Sequence, residues 1–185
     1  AVEGDTDEAV ARRILETRGH AVAGVFGRKG KGALDKRLAS YNAAARFEPW
    51  LVLRDLDRDE ECAAALVRRL LPNPAGQIRL RIAVRQAEAW LLADAKHRAA
   101  FLGIAALDVP LEPESLPDAK RTMVELARRS RKRDIKQDMV PRAGLSAAVG
   151  PAYVSRLIEF TRQWQPSEAA ARSPSLAACL RALDG

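Results

Sequence analysis

Four short apolar runs, each closed by a turn and followed by residues at helical spacing, constrain this chain more than any other feature. Ala1-Val2 reads as the end of an apolar strand, and Glu3-Gly4-Asp5-Thr6-Asp7 follows it directly. Gly4 permits a sharp turn, and Asp5 or Thr6 can cap a helix. Residues 8–18 then place Ala9, Val10, Ile14 and Leu15 on one helical face. The runs at 21–26, 50–54 and 78–84 read as further strands, the last alternating apolar and basic residues. Helices are predicted over 33–45, 60–71 and 86–93. Such β-α alternation argues for a parallel sheet with helices packed on its faces. Beyond residue 93 the strand signals fade, and helical spacing returns over 117–133, 150–163 and 175–183. The expected division is an α/β core at 1–108 and a helical C-terminal extension at 109–185 packed on it. A Pro- and acid-rich linker at 109–117 joins the two.

A chain of 185 residues can bury a full core without staples. Cys62 and Cys179 lie far apart and suggest neither a disulfide framework nor a zinc site, so a reducing cytoplasmic setting is expected. No apolar run approaches the roughly 20 residues that span a bilayer, so no membrane role is expected. The formal net charge of +7 favours polyanionic partners.

Ligands of parallel α/β sheets gather at the C-terminal ends of the strands. Glu3 lies at the end of the first predicted strand, and Asp55 and Asp57 at the end of the third. If those strands are neighbours, the three carboxylates converge, and converging carboxylates repel unless a proton or cation intervenes. Mg2+ suits hard oxygen ligands, with Mn2+ as a substitute. In extended chain Asp55 and Asp57 point to the same side, with Leu56 in the packing layer. Each acid alone could equally favour a helix N-terminus; their coincidence at two strand ends argues for a metal site.

The glycine loop at 27–32 offers Lys29, Lys31 and backbone N–H groups to phosphate. It is not a Walker A loop, because Gly32-Ala33 follows Lys31, and a solvated loop is the competing reading. A basic stretch runs from Lys120 to Arg142, offset only by Glu125, Asp134 and Asp138. Within it Lys120, Arg131 and Lys132 are candidate phosphate contacts, and the absence of aromatics argues against base stacking. His20 and His97 are too few and too far apart for a His-rich metal site.

The segment Val2-Glu3-Gly4-Asp5-Thr6-Asp7, followed later by Asp55-Leu56-Asp57, resembles the Toprim domain of topoisomerases, bacterial primases, recombination mediators and OLD-family nucleases. The resemblance covers about the first half of the chain. Glu88 to Asp94, Pro117 to Lys120 and Ser173 to Leu176 resemble bacterial Toprim-like proteins without an assigned function. The likeness implies a three-layer α/β/α, Rossmann-like, mostly parallel sheet. It implies Mg2+ on Asp55 and Asp57, with Glu3 as acid, base or further ligand, and Glu88 and Asp94 as contributors to a second metal. The implied activity is metal-dependent phosphodiester hydrolysis of nucleic acid, DNA rather than RNA, in phage defence or repair. Nucleotidyl transfer as in primases, or a binding module without catalysis, are the alternatives. A partner ATPase and a homo-oligomer are compatible with the likeness. No Tyr stands out as a strand-passage nucleophile, which disfavours a topoisomerase.

Overall fold

The computed structural model describes residues 1–144 and 146–184. Strands β1 (Trp50–Asp55) and β2 (Ile78–Ala83) pair in parallel, Trp50 opposite Ile78 and Asp55 opposite Ala83. The first residues of the chain lie along the other edge of β1. The Ala1 amino group donates to Leu51 O at 2.7 Å, and Leu53 N–H donates to Ala1 O at 3.0 Å. Val2 then bridges Gly27 in parallel, through Val2 N–H to Phe26 O and Arg28 N–H to Val2 O. The backbone order is therefore 26–28, 1–2, β1, β2. The strand predicted over 21–26 contracts to this one bridge at Gly27. Residues 21–25 form no ladder among the described residues.

Side-chain alternation in β1 and β2 buries both faces of the sheet. Val52, Leu80 and Ile82 pack with Leu34 and Leu38 of α2 (Lys31–Ala44) and Leu66 of α3 (Ala63–Leu70). Leu53 and Ala83 pack on the opposite side with Val10 and Ile14 of α1 (Asp5–Thr17) and Trp90 of α4 (Ala87–Ala93). Helix α4 is buried at every position, Glu88 included, as befits a helix enclosed on all sides.

The C-terminal half is helical and shares this interior. Helix α5 (Ala95–Leu102), absent from the sequence reading, starts where Asp94 accepts His97 N–H and stops at Gly103, whose φ is 68°. The helix predicted over 117–133 divides into α6 (Ala119–Arg128) and α7 (Arg133–Met139). Between them Ser130 Oγ accepts Lys132 N–H at 2.9 Å and Arg131 N–H turns to Gly103 O at 3.1 Å, which ends the helical ladder. Helices α8 (Tyr153–Thr161), α9 (Pro166–Ala169) and α10 (Pro174–Arg181) complete the chain. Phe160, Trp164 and Leu176 pack in the same core as Trp90, and Trp90 Nε1 donates to Ser175 Oγ at 2.7 Å. Arg98 of α5 is fully buried, its guanidinium carbon 3.4 Å from the Phe160 ring centroid. Burial lowers its pKa to about 9, so it stays a cation at neutral pH, held against an aromatic face. Among the described residues no helix is long and apolar enough to cross a membrane.

Gly27 has φ 98°, and a Cβ there would run into the Val2 carbonyl oxygen. Both effects oppose a side chain. Gly27→Ala is expected to cost more than about 1 kcal/mol in urea unfolding; an unchanged midpoint would show that the Val2 bridge contributes nothing to the fold.

Candidate functional site

The ends of the parallel segments place four carboxylates in one neighbourhood. Glu3 follows Val2 out of the sheet, and its Oε1 accepts Asp55 N–H at 2.9 Å. Gly4 opens α1, and Asp7 folds back so that its Oδ2 accepts Gly4 N–H at 2.9 Å. Asp55 closes β1, and its Oδ1 accepts Ala87 N–H at 2.9 Å, in the first turn of α4. Glu88, the next residue, is 5% exposed; its Oε1 accepts Tyr153 O–H at 3.5 Å and faces Lys120 Nζ at 3.5 Å.

Burial and neighbouring charge raise the proton affinity of Glu3, Asp7 and Asp55. Burial and then the charges of Glu3 and Glu88 lift Asp7 to about 7. Asp55 is pushed well above the usual carboxylate range, first by burial, then by Asp7, Glu88, Glu3 and Asp57. Burial raises Glu3 as well, against the pull of the Asp55 N–H and Arg54. Burial also raises Tyr153, with Glu88 adding to it. The site therefore concentrates negative charge that protons or a cation must relieve.

Asp57 stands differently from expectation. Its φ is 50°, it lies past the end of β1, and its N–H donates to Arg85 O at 2.8 Å. Strand alternation no longer applies there, so the expected same-side pair with Asp55 does not form. Its Oδ2 takes Lys31 Nζ at 2.7 Å instead, although its charge still raises Asp55 and Glu3. Leu56 is buried in the α2–α3 layer. Behind the site Arg54, 3% exposed, meets Asp35 at 3.0 Å, Asp59 at 2.5 Å and Glu3 at 3.7 Å. Asp35 and Arg54 were missed in the sequence. A lone Arg directly after the apolar run 50–53, inside the predicted strand, was the available signal, since a buried cation requires acids around it.

The residues expected to contact phosphate divide into two groups. Lys31 is bound to Asp57 and to Asp59 at 3.1 Å, and its hydrogen bond to Asp57 raises its pKa. Lys120 is held toward Glu88, whose charge raises it. Lys132 Nζ donates to Ala100 O and Phe101 O, each at 2.9 Å, and so closes the C-terminal end of α5. Each of these three ammonium groups has an intramolecular acceptor. Lys29 and Arg131 are exposed.

A second donor cluster was not read from the sequence. Donor atoms of Asp94, His97 and Glu168 lie within 4.8 Å of one another. No set of three that includes Glu3, Asp55 and Asp57 closes to that spacing among the described residues, because each of those carboxylates is drawn to its own donor. Asp94 is already engaged: its Oδ1 accepts His97 N–H at 3.2 Å and its Oδ2 accepts Gln165 N–H at 2.9 Å. The cluster could take a borderline divalent ion such as Zn2+ through one imidazole and two carboxylates, but it also serves as the α5 cap.

Compared with known proteins, the chain matches no family model, no curated protein and no solved structure.

Folded Asp7 keeps its proton up to about pH 7, whereas an unfolded Asp loses it near its ordinary value of 3.8. The stability that this group contributes is therefore complete below 3.8 and is lost as pH rises through 7. In chelator, the thermal midpoint should fall between about pH 5 and pH 8, and Asp7→Asn should flatten the fall. An equal slope in the variant would place the linked proton elsewhere. Arg54→Ala leaves Asp35, Asp59 and Glu3 without their shared cation. It is expected to destabilise by about 3 kcal/mol in denaturant titration; a loss under about 0.5 kcal/mol would mark the pairing as surface-like.

Proposed function

We propose that this chain is a Toprim-like, Mg2+-dependent phosphodiesterase acting on nucleic acid. The observation that carries the reading is the convergence of half-buried Glu3, Asp7 and Asp55 with buried Glu88 at the C-terminal ends of parallel segments. Helices on both faces of a sheet in the order 26–28, 1–2, β1, β2 support the three-layer α/β/α assignment.

The donors are of the kind Mg2+ takes, carboxylate oxygens whose mutual repulsion a hard divalent cation removes, although no three of them close to within 4.8 Å among the described residues. Asp55, Glu3 and Glu88 would hold it, with Asp57 at the rim. Bound there, the ion supplies charge stabilisation at a phosphoryl oxygen and a more acidic water. The chain's own groups do the rest. Asp7, titrating near neutrality before the ion arrives, is suited to take up or give a proton. Asp55 N–H and Ala87 N–H fix the orientations of Glu3 and Asp55. Arg54 sets the position of Asp59 and stands beside Glu3.

A second reading also has an observation behind it. Lys31 on Asp57 and Lys120 on Glu88 already supply countercharge, as a module that binds nucleic acid without cleaving it would require. Calorimetric titration of Mg2+ into the wild type and Asp55→Asn, with a cleavage assay on labelled DNA, separates the two. Hydrolysis predicts that metal binding and cleavage disappear together in Asp55→Asn. Cleavage that persists in chelator would refute the metal assignment. DNA binding without cleavage, unchanged in Asp55→Asn, would favour the binding module.

A further inference from the structure

Helix α7 sorts its charges onto two sides. Asp134 and Asp138, which in the sequence offset the basic stretch, both point to one cation: Arg156 Nη2 lies 2.8 Å from Asp134 and 2.7 Å from Asp138. Their charge is consumed on the side facing α8. On the other side Arg133, Lys136 and Arg142 line a hollow of about 410 Å3 together with Arg128, and no carboxylate lines it. Arg128 is partnered by Glu125 at 3.5 Å. Arg133, Lys136 and Arg142 make no side-chain hydrogen bond or ion pair among the described residues, and all three are exposed. The clefts nearer the carboxylate site are balanced by contrast, Arg58, Arg121 and Arg129 being matched by Asp108, Asp118 and Glu125.

We propose that this hollow binds a backbone phosphate of nucleic acid, away from the carboxylate site, so that one strand is held at two stations. Three unneutralised cations around one concavity raise the local potential and concentrate polyanions. Guanidinium groups suit phosphate oxygens through paired N–H donors. Repeated phosphates reward such a distant station, whereas a single small phosphate gains nothing from it. The exposed large apolar side chains, Phe26, Phe47, Leu107, Leu111 and Val154, do not line the hollow, so it lacks the insertion groups of a lipid-binding surface. The inference rests on nucleic acid as the substrate class, not on cleavage.

The test is fluorescence anisotropy of labelled duplex and single-stranded DNA in chelator, across a salt series. The samples are the wild type and the triple variant Arg133→Gln with Lys136→Gln and Arg142→Gln. All three substituted cations are exposed, and matching thermal melts would confirm folded protein. The triple variant is expected to bind more weakly on every sequence, with the log–log salt slope shallower by about 1, for the one phosphate the hollow neutralises. An unchanged slope in the triple variant would overturn the proposal. So would binding of the wild type to phosphatidylserine vesicles or to inorganic phosphate alone, with none to DNA. Normal DNA binding with no metal-dependent cleavage sinks only the hydrolase reading and leaves the hollow standing.

Discussion

Glu3 accepts the backbone N–H of Asp55, and the site's arrangement depends on that contact. It ties the end of the first parallel segment to the end of β1 with an ionisable side chain in place of a ladder bond. Glu3 is thereby committed to the interior beside Asp7 and Asp55, where desolvation and like charge oppose ionisation. The sheet leaves little alternative. Apolar side chains cover most of both faces of β1 and β2, and the acids emerge where the strands stop. The helix starts that follow, α1 at Gly4 and α4 at Ala87, supply the N–H donors that make the crowding tolerable.

Around this crowd the chain arranges its own countercharge at three depths. Arg54 is buried behind Glu3 and gathers Asp35 and Asp59. Lys31 and Lys120 stand nearer the surface against Asp57 and Glu88. The net positive charge of the protein is therefore not concentrated beside the acids. It accumulates on the outer side of α6 and α7, where the local acids are paired elsewhere.

The strands at 50–55 and 78–83 were legible because β-branched and leucine-rich runs of that length, between turn signals, have few alternatives. The placement of Glu3 and Asp55 at strand ends followed from the same reading. At 21–26 the residues favour extension, and the structure shows one parallel bridge, Val2 with Gly27, in place of a strand. Asp57 was misplaced because a single residue at φ 50° ends the alternation, and nothing in Asp-Leu-Asp announces that turn. Lysine partners were invisible for a different reason. A long side chain reaches acceptors far away in sequence, as Lys31 does with Asp57 and Lys132 with the end of α5. Asp7 was read as part of a motif, but its perturbed proton affinity arises from burial, which only the folded chain defines.

The buried Arg98 gives the C-terminal half a standing that its helical character alone would not. Its cation sits in α5, and the aromatic ring it lies on belongs to α8, on the far side of the linker at 109–117. Trp90 likewise reaches across that seam to Ser175. A gene split at the linker would yield two fragments, one carrying an uncovered charge in its centre and the other an aromatic wall with nothing against it. The extension is thus a closing wall of the first half, and any rearrangement in evolution that kept the carboxylate centre would have had to carry both halves together.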